Sequence, residues 1–246
     1  MPVPAEPRSQ PRPRRGELLR AGVPAAGRWI WSYVRRAPGS FIWLAILIVT
    51  TVFLAHLTPQ IRYRWILHRS TNLHELSHDP IRVLISSALW LDGGHWWPYF
   101  ILYNVVHVPA ERWLGTLRWL AVAAISHVGA TYISQSVVYF EIRHGAAPPS
   151  DAFIPDIGVS YALAGVEGVL AYLIAVPWRY LYVAGLIAYY GLGLVEYRTF
   201  TDVGHFTALL LGLACYPLTA SRPGRWDPME TVRWLKKAAV RRSLNP

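Results

Sequence analysis

Three residues of this chain have side chains suited to acyl-transfer chemistry: Ser160, His205 and His95. Ser160 lies two residues after Gly158 in 156-DIGVSYALAGVEGVL-170, where an apolar run begins. A serine at a helix start is commonly an N-cap. It is a nucleophile where a histidine can take its hydroxyl proton and free the oxygen to attack a carbonyl. The candidate base is His205, in 202-DVGHFTALLLG-212. Glu167 follows Ser160 by seven residues, on the same helical face two turns on. It pairs with an interior histidine, lines a water pocket, or sits neutral in a helix–helix hydrogen bond.

These residues must be positioned by apolar segments. Of the 246 residues, 53% are hydrophobic and only 15% charged. Mean hydropathy is +0.25, too apolar for an ordinary soluble domain. The apolar residues come in runs of about twenty, the length that crosses roughly 30 Å of hydrocarbon. Six spans are expected, at about 40–58, 95–112, 117–139, 157–175, 178–196 and 203–220. The connection 59–94 is the longest, and its 80-PIRVLISSALWLDGG-94 stretch reads as a partly inserted loop. Single Cys215 excludes an intrachain disulfide and reads as structural.

The net charge of +10 sits at the ends of the chain. With six spans, 18 of the 24 basic residues fall on one side, in 1–38, 221–246 and two short turns. Basic residues accumulate in cytoplasmic segments, so both termini are expected in the cytoplasm. The basic tails then meet anionic lipid rather than nucleic acid. Residues 1–27 are Pro- and Arg-rich and expected to be disordered, residues 28–38 resemble an interfacial anchor, and 226–242 suggests an amphipathic helix.

On this topology His95, Ser160 and His205 each lie near the external start of a span, at one level. Gly204, Ala208 and Gly212 recur every four residues beside His205, and Gly158, Ala162 and Gly165 run beside Ser160. Small-residue stripes let helices approach backbone to backbone. Two such helices could bring the serine and the histidine within hydrogen-bond reach.

The residues then resemble a known family. Gly158-Val159-Ser160 is similar to the Gly-x-Ser-Gly motif of rhomboid intramembrane serine proteases. His205, Ala208 and Gly212 resemble their His-x2-small-x3-Gly sixth helix. The segment 95-HWWPYFILYNVVHVPAERWLG-115 is similar to their second helix, opened by His and closed by Glu-Arg-x2-Gly. The resemblance covers roughly residues 40–220. It implies Ser160 as nucleophile and His205 as general base in a dyad without a carboxylate. It further implies His95 and the backbone N–H of Ser160 as oxyanion donors, and structural roles for Glu111 and Arg112. It implies cleavage of peptide bonds in or near substrate transmembrane helices. Two positions depart from the pattern. Tyr161 stands where the second motif glycine is expected, beside the nucleophile. Tyr99 stands where the family has an oxyanion asparagine, and its phenol is a candidate replacement donor.

The expectation is an all-α membrane protein, a six-transmembrane-helix rhomboid-like bundle in the plasma (inner) membrane with both termini cytoplasmic. Residues 39–220 form the membrane domain, between a 1–38 arm and a 221–246 tail. Its partners are transmembrane substrates or clients and anionic lipids. No cofactor is expected. No metal site is expected either, because His95, His205 and Glu167 lack a His-Glu-x2-His spacing. The competing readings are a catalytically inactive relative that binds transmembrane clients, and a proton-coupled transporter using His95, Glu167 and His205. His107 and His127 are given no catalytic role.

Overall fold

The computed structural model describes residues 27–91, 93, 95–196, 198–222 and 226–244. The Pro- and Arg-rich arm up to residue 26, and Gly94, lie outside them. In chain order the helices are α1 (27–34), α2 (Pro38–Ala55), α3 (Pro59–Leu67), α4 (Leu73–His78) and α5 (Pro80–Ser87). There follow α6 (Trp97–Leu102), α7 (Val108–Leu114), α8 (Thr116–Arg143), α9 (Val159–Leu170), α10 (Trp178–Glu196), α11 (Phe200–Ala214) and α12 (Pro228–Leu244).

Helix α2 starts at a proline, whose missing N–H costs nothing in the first turn. Its next two amides, Gly39 N and Ser40 N, donate to Glu111 Oε1 and Oε2 at 2.9 and 2.7 Å. Thr116 Oγ1 also donates to Glu111 Oε1, at 2.7 Å. One buried carboxyl therefore joins the starts of α2 and α8 to α7, on which it sits. Between α7 and α8 the chain turns at Gly115, whose φ of 84° suits only a residue without Cβ. Arg112 stays exposed, with its guanidinium 5.6 Å from the Tyr33 ring centre.

The expected 95–112 span is not one α-helix. α6 passes through a π-helical turn, Tyr103–His107, into α7. Pro109 has no N–H for the Val105 carbonyl, and the turn widens so that Val108 N bonds Tyr103 O instead. His107 lies buried in this turn, stacked on Tyr103 and accepting from Trp119 Nε1 at 3.1 Å, a packing position.

The centre of the molecule is α8, α9 and α11. A Cβ on Gly212 would lie 1.9 Å from the Gly165 carbonyl oxygen, and one on Gly168 would lie 2.6 Å from that of Leu209. α9 and α11 thus touch backbone to backbone. The face of α8 toward them buries Ser126, His127, Thr131, Ser134 and Gln135. α8, 28 residues long, covers the expected 117–139 span, and that polar face lowers its mean hydropathy. Among the described residues, Pro38–Ala55 is the helix long and apolar enough to cross a bilayer by length and composition, while Val159–Leu173 and Phe200–Ala214 are shorter apolar helices.

The 59–94 connection folds into α3, α4 and α5, capped in turn by the side chains of Thr58, Asn72 and Asp79. The 80–94 stretch, read from sequence as a partly inserted loop, is helical over Pro80–Ser87, with Val83 and Ser87 buried and Ile81 and Ile85 exposed. At the other end, Trp226 pairs its backbone with the chain after α9: its N–H donates to Leu173 O at 2.7 Å and its carbonyl accepts from Ala175 N at 3.0 Å. The expected amphipathic tail helix is α12; the side chains of Leu235 and Val240 lie outside the described residues.

Candidate functional site

Gly158 is the N-cap of α9, which places Ser160 in the first turn rather than at the cap. Ser160 Oγ donates to the Ile157 carbonyl at 3.4 Å. Its backbone N–H is among the first amides of the helix, which no intrahelical carbonyl can take. Ser160 is part-exposed and lines a cavity of about 480 Å³ together with Tyr190, Gly193, Glu196, Asp202 and His205. No hydrogen bond joins Ser160 to His205 among the described residues.

His205 lies one turn into α11, whose start is closed by a capping box between Thr199 and Asp202. Two tyrosines box the ring in: Tyr161 meets it edge-on at 5.0 Å between centroids, and Tyr190 stacks on it at 5.9 Å and 27°.

Tyr161 does not crowd the cavity, as its position next to Ser160 suggests it would. It is fully buried and is absent from the cavity lining. Successive side chains on a helix point about 100° apart, so Ser160 can face the cavity while Tyr161 faces the interior. The space for its ring is provided by Gly204, where a Cβ would lie 2.4 Å from Tyr161 Cζ. Gly158 plays the same part for the His127 imidazole, which a Cβ there would overlap at 1.7 Å. His127 Nε2 contacts Leu84 O at 2.8 Å, so this histidine ties α8 to α5.

Two carboxyls complete the surroundings. Asp156, just ahead of α9, is buried and accepts from Tyr161 Oη at 3.2 Å and Gln135 Nε2 at 3.1 Å. Its backbone carbonyl accepts from Thr71 N at 2.9 Å and Thr71 Oγ1 at 3.1 Å, which anchors the α3–α4 connection. Burial pushes the Asp156 carboxyl up to about 6, against the opposing pull of the hydrogen bonds from Tyr161 and Gln135. Glu167 Oε2 accepts from Tyr190 Oη at 2.6 Å, and its backbone carbonyl accepts from Tyr182 Oη at 3.0 Å. The helix–helix hydrogen bond is thus realised, with a tyrosine and not a histidine as partner.

His95 is outside the cavity. It is exposed, and its Nδ1 contacts the Gly93 carbonyl at 2.8 Å. Tyr99 packs in the apolar cluster that contains Tyr103 and Val159, the residue before Ser160. Ala208 and Gly212 are buried on the α11 face that meets α9. Sequence reasoning missed Asp156 and Tyr190. An acidic residue at the lip of an apolar run was the available signal for the first. A lone tyrosine in an aromatic-rich helix offers none.

A family model described as rhomboid-like protein matches residues 32–225. The chain belongs to the rhomboid-like family, a membrane-associated class of helical proteins. No curated protein and no solved structure matches it.

Proposed function

We propose that this protein is a rhomboid-like intramembrane serine protease whose six spans cross the plasma membrane with both termini in the cytoplasm. The observation that carries the reading is the shared cavity: Ser160 and His205, 45 positions apart in sequence, line the same recess. In the reaction His205 takes the Ser160 hydroxyl proton as Oγ attacks the scissile carbonyl. The oxyanion is met by the Ser160 N–H at the start of α9, where the helix field also favours negative charge. His205 returns the proton to the leaving amine, and water entering the open cavity hydrolyses the acyl-enzyme. Turning Ser160 Oγ away from Ile157 O is the rearrangement that this step requires. The substrates are transmembrane segments, and the basic termini rest on anionic lipid.

A second reading, a non-catalytic binder of transmembrane clients, draws support from two features. Ser160 Oγ is engaged by Ile157 O, and His95 stands outside the cavity. The two readings part on fluorophosphonate labelling of the detergent-solubilised protein. The protease labels, and Ser160→Ala and His205→Ala both abolish labelling. Folded wild type that does not label is the client binder.

A further inference from the structure

A His-Glu-x2-His spacing, which His95, His205 and Glu167 lack, occurs elsewhere in the chain as 74-HELSH-78. On a helix this spacing sets two imidazoles on one face, one turn apart, as a pair of ligands for a transition metal. The segment is helical: α4 runs Leu73–His78, and the Asn72 side chain closes its start by accepting from Glu75 N at 3.0 Å. Leu76 is buried, which seats the helix against the protein, while His74 is half-buried and His78 exposed.

The two rings meet at 4.4 Å between centroids, tilted by 42°. Phe153, at the end of the 3-10 turn Pro149–Phe153, packs on His74 at 4.6 Å and 33° and fixes its ring. His78 Nδ1 lies 2.7 Å from the His74 carbonyl. A carbonyl can only accept, so Nδ1 carries the proton and Nε2 of the neutral ring keeps its lone pair. Metal-binding histidines are oriented by a bond of this kind from the second nitrogen. His56 and His144 make the same bond to the carbonyl four residues back, but Val52 and Phe140 stand where the second imidazole would be. Glu75 is engaged elsewhere: its carboxylate accepts from Arg82 Nη2 at 2.7 Å and pairs with His68 Nδ1 at 2.7 Å. It braces α4 against α5 and is not placed as the general base of a metalloprotease.

We infer that His74 and His78 form a binding site for a late first-row divalent transition metal such as Zn²⁺. Imidazole nitrogen suits these ions, whereas Mg²⁺ and Ca²⁺ take oxygen ligands. Among the described residues no third His, Cys, Asp or Glu joins the pair to complete a metal cluster. The remaining coordination positions go to water, as at zinc sites that keep an open position. Neither histidine lines the Ser160 cavity, so the inference is independent of the proposed protease.

The test uses the full-length protein without a polyhistidine tag, in detergent micelles, stripped with EDTA and dialysed. Calorimetric titration with ZnCl₂ is expected to show saturable binding, and titration with MgCl₂ none. His74→Ala and His78→Ala should each weaken Zn²⁺ binding by at least about tenfold, because even an outer partner of a metal ligand is worth about 10–100-fold. His144→Ala keeps the wild-type affinity. Zn²⁺ should also raise the melting temperature of the wild type and not that of the double variant, since an ion that binds the folded pair stabilises by mass action. His74→Phe keeps a ring on Phe153 but removes the nitrogen, and it decides the matter if the alanine variant does not fold. No saturable Zn²⁺ binding below about 1 mM overturns the inference. So does undiminished binding by the His74→Ala/His78→Ala double variant, which would place the ion on other histidines.

Discussion

At the residue scale, the buried carboxyl of Asp156 has the clearest consequence for pH. Its folded value, about 6, stands above the ordinary 3.8 because burial disfavours the charged form. The folded protein therefore holds this proton more tightly than the unfolded chain. Stability contributed here is fully present below the ordinary value and is lost as pH rises through about 6. Wild-type melting temperature is expected to rise between pH 7.5 and pH 5. Asp156→Asn, neutral at every pH, should match or exceed wild type at pH 7.5 and lose that advantage at pH 5. Thermal unfolding of both proteins across this range checks it, and parallel profiles would remove Asp156 from the account. The same carboxyl orients Tyr161, which in turn borders His205, so the surroundings of His205 are shaped by a residue outside the motifs read from the sequence.

At the element scale, two contacts hold the helices in place. The first is the α9–α11 crossing, where backbones meet at Gly165 and Gly212. A methyl group on Gly212 would sit against a carbonyl oxygen, which has no side-chain freedom with which to give way. Gly212→Ala is expected to cost about 1–3 kcal/mol or more by overpacking. Because the crossing brings Ser160 and His205 to one cavity, fluorophosphonate labelling of the proposed protease should fall with it. The second is Glu111, whose oxygens accept from Gly39 N, Ser40 N and Thr116 Oγ1. Glu111→Ala leaves three donors without partners where α2 and α8 begin. The expected loss is about 2–5 kcal/mol, near the upper end for a buried hydrogen-bonded carboxyl. A melting-temperature change within error for either variant would contradict these contacts.

At the scale of the whole molecule, the question is how the helices lie relative to a bilayer. The charge distribution argues for cytoplasmic termini in the proposed topology, and α8 supplies a physical reason why a helix of spanning length can have a low mean hydropathy. Its inner face is polar because it meets Asp156 and neighbouring polar groups, not because it meets water. A helix can then cross lipid with an apolar outer face and a low average hydropathy. A C-terminal green fluorescent protein fusion is expected to fluoresce, and a C-terminal alkaline phosphatase fusion to be inactive. Fusions placed between α8 and α9 should give the reverse. The opposite pattern would invert the topology and put the Ser160 recess on the cytoplasmic side.

Several features of this protein follow from its sequence by itself, because they are local or periodic. Apolar runs, the Gly204–Ala208–Gly212 and Gly158–Ala162–Gly165 stripes, and the motifs around Ser160 and His205 mark a helical, rhomboid-like chain before any contact is known. α10 falls where its apolar run predicts, at Trp178–Glu196. Only the tertiary structure decided which groups meet, since each meeting joins segments far apart in the chain. It turned Tyr161 inward against Gly204 and Asp156, left His95 at the surface, and paired Glu167 with Tyr190 rather than with a histidine. A helical period gives the face a side chain occupies; helix packing decides what stands opposite that face, and side-chain packing decides the direction of each hydroxyl and carboxyl.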